Sequence, residues 1–183
     1  MPRVPAHDLD TAPADSRPAL RELQAHFGKV LNIFGEMAHS PPLLNAFVAF
    51  ENALAEHGTL TESDKQAVRL AVSGYHDCRY CQSAYTLAAK AAGLTEEQTV
   101  ELRGGTASFD TSLDALVRFA RTAADQRGHV DDATWKETLE AGWRDDQLLE
   151  AFANVVRTFL TNGVNHLVGT ELDVPAAPGV SEP

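Results

Sequence analysis

Cysteine is scarce in this sequence, with two in 183 residues, and both fall in one short segment, Cys78-Arg-Tyr-Cys81. A pair that close in sequence closes too small a loop to staple a fold, and a disulfide-framed secreted domain carries more cysteines. There is no second C-x-x-C and no H-x-x-x-H, so a four-ligand zinc site would have only His76 beside the cysteines; no metal and no cofactor is expected. Positive charge is also short: 15 Lys and Arg stand against 26 Asp and Glu, a net charge of -11. Phosphate backbones and anionic bilayers are repelled by such a surface, which argues against nucleic acid or membrane as a partner. No apolar run approaches the roughly 20 residues of a bilayer span, and the N-terminus lacks the apolar stretch of a secretory signal; the expected location is cytoplasmic. Alternating β-branched runs bounded by hairpin turns are missing, as are internal repeats.

What is present has helical spacing. The periodic segments predict an all-α fold of about eight helices, and 44% hydrophobic residues suffice for a core. Residues 1–17, rich in Pro, Ala and Asp, read as an extended N-terminal arm, 18–174 as one helical domain, and 175–183 as a loose C-terminal tail. Leu20, Leu23, Phe27, Val30 and Leu31 mark a first helix. Ser40-Pro41-Pro42 opens a second that Gly58 stops, and Thr61 caps a third that leads to the cysteines. A fourth starts near Cys78 or Tyr80 and ends at Gly93. Thr95-Glu-Glu-Gln98 is a capping box for a fifth, and Asp110, Asp131 and Asp145-Asp146 open the remaining three.

The C-x-x-C pair points to thiol redox chemistry. Residues three apart share a helix face, with Cβ atoms roughly 5–6 Å apart, within reach of a disulfide after modest rearrangement. Thiolate is the nucleophilic form, and a helix N-terminus favours it. His76, two residues before Cys78, is a candidate proton acceptor, with a solvated loop histidine as its bland alternative. Near the end of the last helix Asn162, Asn165 and His166 could line a polar pocket; alternatively the Asn and Gly residues only end the helix. Trp135 and Trp143 read as packing residues, and the paired Asp residues as helix starts.

Leu60-Thr-Glu-Ser-Asp-Lys-Gln-Ala-Val-Arg-Leu-Ala-Val-Ser73 followed by Asp77-Cys-Arg-Tyr-Cys81 resembles the core of the AhpD-like alkylhydroperoxidase and carboxymuconolactone decarboxylase superfamily. Gly28-Lys-Val-Leu-Asn-Ile-Phe34, Ala38-His-Ser-Pro-Pro-Leu-Leu44 and Thr170-Glu-Leu-Asp-Val-Pro175 are similar to its peroxidase-related branch. The resemblance implies an AhpD-like helical domain that assembles as a homo-oligomer, a trimer or hexamer. By position, Cys81 would be the peroxidatic thiol and Cys78 the resolving one. The family's relay does not carry over: its Glu corresponds to Gln66 and its His after the second cysteine to Tyr85, while Tyr80 fills the remaining slot as in some relatives.

The expected function is a thiol-dependent peroxidase or dithiol–disulfide oxidoreductase acting on a small hydroperoxide, with a lipoyl- or thioredoxin-like dithiol as reductant. Two alternatives stand beside it. One is a lactone decarboxylase-like lyase using His and Tyr, which would not depend on the cysteine pair. The other is a non-catalytic redox sensor or partner-binding protein, motivated by the replaced relay.

Overall fold

The computed structural model describes residues 1–180, and these form nine α-helices, one 3-10 turn at Ala14–Ser16 and no strand. The all-α expectation holds. No helix among the described residues is long and apolar enough to cross a membrane. By its contacts the chain divides into two compact units: Met1–Gly58 with Gly163–Asp173, and Thr59–Asn162 with the residues from Val174 on. The expected 18–174 domain spans both.

In the first unit lie α1 (Arg17–Phe27), α2 (Asn32–Met37) and α3 (Pro41–His57). The sequence pattern ran Val30 and Leu31 on from the first helix, but Gly28 takes a left-handed φ of 78° and closes α1 onto the Gln24 carbonyl. Leu31 instead becomes the N-cap of α2, a short helix that the apolar spacing alone could not separate from α1. Leu20, Phe34, Met37, Leu44 and Phe47 fill this unit's core. The N-terminal arm lies against α2: the His7 N–H donates to the Gly35 carbonyl at 3.1 Å, and a Cβ on Gly35 would come within 2.5 Å of the His7 carbonyl oxygen.

The second unit holds α4 (Glu62–Tyr75), α5 (Arg79–Ala91), α6 (Glu96–Gly104), α7 (Thr111–Asp125), α8 (Asp132–Glu140) and the larger part of α9 (Asp145–Val168). Helix α4 is its centre and packs on α5, α6 and α7. Every residue from Gln66 to Ser73 is buried, as a helix surrounded on all sides requires. Reciprocal capping boxes start α4 (Thr61 with Asp64) and α6 (Thr95 with Gln98). The Glu150 carboxylate of α9 accepts the N–H groups of Thr59 at 2.6 Å and Leu60 at 3.1 Å, which fixes the approach to α4 beside α9. The C-terminal segment is pinned rather than loose up to residue 180. Ala177 is buried with its N–H on the Ser83 hydroxyl at 3.1 Å, and the Arg103 guanidinium donates to the Pro178 carbonyl at 2.6 Å. These bonds satisfy two buried side chains that the composition of the tail does not reveal. Residues 181–183 of that expected tail lie outside the described residues.

Candidate dithiol site

The turn between α4 and α5 is built by three residues. His76 caps α4, Asp77 takes a left-handed φ of 51°, and Cys78 follows as N-cap of α5. The Asp77 N–H returns to the Gly74 carbonyl at 3.2 Å and the Cys78 N–H to the Ser73 carbonyl at 3.0 Å, the paired closure of a helix ending in a left-handed residue. Aspartate is one of the few residues other than glycine that takes this conformation at modest cost. Cys78 therefore terminates one helix and starts the next.

Both cysteines are buried thiols in this structure, with no disulfide between them. The Cys78 sulfur replaces the usual cap oxygen, accepting the Cys81 N–H at 3.4 Å. Cys81 sits in the first turn of α5, where unpaired N–H groups and the helix dipole favour a negative sulfur. Its S–H points at the Thr161 hydroxyl, 3.7 Å away. One turn on, the Tyr85 hydroxyl stands 3.0 Å from the same Thr161 oxygen, and Arg157 donates to the Tyr85 hydroxyl. Burial pushes the Tyr85 phenol up to about 12, with Cys81 adding to the shift while Arg157, Arg69 and the Thr161 hydrogen bond oppose it. Tyr85 is thus a neutral phenol throughout the physiological range. The Arg69 guanidinium of α4 donates to the Asn154 side-chain oxygen of α9 at 3.0 Å.

His76 is tied to Asn162 of α9. The Ser73 hydroxyl donates to the Asn162 oxygen at 3.2 Å, so the amide nitrogen faces His76 Nδ1 at 3.0 Å and makes that nitrogen the acceptor. The neutral imidazole in this arrangement carries its proton on Nε2. Its ring also meets the Phe159 ring edge-on at 5.0 Å. Gln66 is buried, its amide N–H donates to the Glu62 carboxylate at 2.5 Å, and its own oxygen has no hydrogen-bond partner. Tyr80 is buried in the first turn of α5. Asn165 and His166 belong to the first unit, where Asn165 is buried with its carbonyl accepting from Gly169 and Thr170, while His166 is exposed.

Among the expected residues, then, Cys81 and Tyr85 converge on Thr161, Cys78 joins them through the Cys81 N–H, and His76 joins the adjacent Asn162. Thr161, Arg157, Arg69 and Asn154 went unrecognised in the sequence. A signal existed: Asn154, Arg157, Thr158, Thr161 and Asn162 recur at helical spacing and are all buried, a polar stripe on the inward face of α9. Among the described residues no group of three or more His, Cys, Asp or Glu side chains is arranged to hold a metal ion.

Residues 41–126 match the carboxymuconolactone decarboxylase family. The match covers a little under half of the chain. The family segment contains both cysteines, Gln66 and Tyr85, whereas the α9 residues Arg157 and Thr161 lie beyond it. The sequence matches no curated protein. Among solved structures, the fold is similar to that of an uncharacterized peroxidase-related protein from Ralstonia eutropha JMP134, described as an alkylhydroperoxidase AhpD core, at 24% identity and a TM-score of 0.84 over 94% of this chain and 92% of the other. A peroxidase-related protein from Silicibacter sp. TM1040 gives 20% identity and a TM-score of 0.78, with 97% and 96% covered. A cysteine-to-alanine variant of the debrominase Bmp8, in complex with 2,3,4-tribromopyrrole, gives 19% and 0.77, with 96% and 92% covered. The AhpD-like resemblance read from the sequence is borne out by this family segment and this fold.

Proposed function

We propose that the protein is a dithiol–disulfide oxidoreductase that reduces small hydroperoxides. The observation that carries this reading is the placement of Cys81 in the first turn of α5 with the Cys78 sulfur on its backbone N–H. In the first step the Cys81 sulfur attacks the terminal peroxide oxygen: an S–O bond forms, the O–O bond breaks, and the sulfur loses two electrons. Cys81 becomes a sulfenic acid and the departing alkoxide takes up the thiol proton as an alcohol. In the second step Cys78 attacks the Cys81 sulfur, the S–S bond forms, and the hydroxyl leaves as water with the Cys78 proton. An external dithiol, of lipoyl or thioredoxin type, returns two electrons and two protons to the pair. A reduced resting pair suits the cytoplasm, and family resemblance supports a homo-oligomeric trimer or hexamer.

The test is turnover of cumene hydroperoxide with dihydrolipoamide, followed as loss of reductant. Turnover is expected in the unaltered protein and lost in Cys81→Ser, while Cys78→Ser should accumulate a sulfenic acid that a dimedone probe traps. A rate equal to that of dihydrolipoamide and peroxide alone would overturn the proposal. Loss of two titratable thiols once, without turnover, would assign the sensor role instead. Supplying 2,3,4-tribromopyrrole in place of peroxide asks whether the pair delivers its electrons to a carbon–bromine bond.

A further inference from the structure

We infer that Thr161 is a catalytic group of this site, passing the Cys81 proton to the departing oxygen, and that Arg157 and Tyr85 are positioning residues that aim its hydroxyl. The inference rests on the hydroperoxide reading above and identifies what replaces the relay that Gln66 and Tyr85 cannot supply.

Hydrogen-bond directions carry the argument. Arginine has only donors, so the Tyr85 oxygen is the acceptor of the Arg157 bond and its own hydrogen is left for Thr161, 3.0 Å away. The Thr161 hydroxyl donates to the Thr158 carbonyl at 3.1 Å, which leaves its oxygen to accept. A hydroxyl has two acceptor sites, and here they receive the Tyr85 O–H and the Cys81 S–H. The Thr161 oxygen is therefore fully engaged, with the sulfur as one of its two donors. Tyr85 cannot take part as an acid or base near neutrality, since burial holds its phenol at about 12. Its part is to fix the lone pair that faces Cys81.

When the sulfur attacks, the S–H proton passes to the Thr161 oxygen while the Thr161 hydroxyl turns from the Thr158 carbonyl and gives its own proton to the departing alkoxide. Threonine begins and ends neutral, the S–O bond replaces the O–O bond, and the peroxide gains the two electrons that the sulfur loses. No group between pH 5 and 9 other than the thiols needs to change charge. Such a hydroxyl shuttle explains how a site can dispense with a carboxylate and an imidazole.

The experiment measures single-turnover oxidation of Cys81 by cumene hydroperoxide, together with the pH profile of Cys81 alkylation by iodoacetamide, in full-length protein. Thr161→Val is expected to slow oxidation by about 10²-fold, the lower end for a lost proton-transfer group, and to move the alkylation midpoint to lower pH, because the bond it removes is donated by the protonated thiol. Thr161→Ser, which keeps the hydroxyl, should restore both. Tyr85→Phe should slow the step by about 10-fold while leaving the hydroperoxide concentration for half-maximal rate unchanged, a smaller loss because it acts through Thr161. An unmoved alkylation midpoint and an oxidation rate within about threefold of the unaltered protein in Thr161→Val would overturn the inference and leave the dithiol reading standing. If the unaltered protein consumes no hydroperoxide, the dithiol reading fails, and the alkylation profiles alone decide: a shifted midpoint in Thr161→Val reversed by Thr161→Ser supports the Thr161–Cys81 coupling, and coincident profiles overturn it.

Discussion

The Arg157 guanidinium donates to the Tyr85 hydroxyl and has its central carbon 5.3 Å from the centre of the same ring. Burial keeps this phenol neutral against the pull of the cation, so Tyr85 is a directional hydrogen-bonding group rather than a titrating one. At the position where resembling proteins have a histidine, this chain therefore holds a group that keeps its proton. The consequence for chemistry is that Tyr85 adds no pH dependence of its own near neutrality.

Tyrosine titration checks this directly. The folded-state pKa of Tyr85, about 12, lies above the ordinary value of 10, so the folded protein retains a proton that the unfolded chain releases. Its contribution to stability is fully present below pH 10 and is lost as pH rises through 12, on the order of 3 kcal/mol for the two-unit shift. Urea unfolding between pH 9 and 12 should show a decline that Tyr85→Phe lacks. In absorbance titration the same substitution should remove a transition near pH 12. Tyr75, also raised chiefly by its hydrogen bond to Asp125, provides the comparison through Tyr75→Phe. Retention of that transition in Tyr85→Phe would count against the assignment.

Asp77 sets the position of Cys78 by its left-handed backbone. Glycine takes this conformation freely, so Asp77→Gly should leave the melting temperature and Cys81 alkylation near those of the unaltered protein. Asp77→Val should lose about 1–2 kcal/mol, because a β-branched side chain crowds the following carbonyl there. It should also change the alkylation rate, since the Cys78 N–H would leave the Ser73 carbonyl. Equal stability of the two variants would refute the role given to this residue.

The helix starts were legible because each is a local chemical event: Ser40, Thr61, Thr95, Asp110 and Asp131 all cap as their sequences suggest. The division between α1 and α2 was hidden because Val30 and Leu31 continue an apolar period that only the Gly28 backbone interrupts. Cys78 and Cys81 announced themselves by spacing. Thr161 and Arg157 did not, because they lie about 80 residues further along and acquire meaning only when α9 is set beside α5. Their stripe was legible as periodicity, but polar periodicity ordinarily marks a solvated face. Here the exposed face instead carries Leu149, Phe152, Val156 and Phe159.

Reinstating a carboxylate at position 66 should not simply restore a relay. The Gln66 amide lies 2.5 Å from the Glu62 carboxylate, so Gln66→Glu places two carboxyl groups together, and one must hold its proton above the ordinary range. A raised folded-state pKa means that stability falls as pH rises through it. The melting temperature of Gln66→Glu should therefore approach that of the unaltered protein near pH 4 and drop below it by pH 8, and Glu62→Gln in the same chain should abolish the difference. A pH-independent offset would show that the two groups do not interact.

Gly74 and Gly163 should respond oppositely to the same substitution. A Cβ on Gly74 would lie 2.0 Å from the Arg103 carbonyl oxygen and 2.8 Å from its carbon, backbone atoms that cannot rotate away. Gly74→Ala must separate α4 from the end of α6, at a cost of about 1–3 kcal/mol or more. It should also disturb the Ser73 and Gly74 carbonyls that receive Cys78 and Asp77, lowering Cys81 reactivity along with the melting temperature. Gly163, inside α9, has no atom within 4 Å of the same added carbon. Gly163→Ala should gain up to about 1 kcal/mol from helix propensity, a rise of roughly 2–4 °C for a chain of this size, with alkylation unchanged. Thermal melts of the two variants measure both signs, and a Gly74→Ala protein as stable as the unaltered one would mean that α4 and α6 do not approach through this glycine.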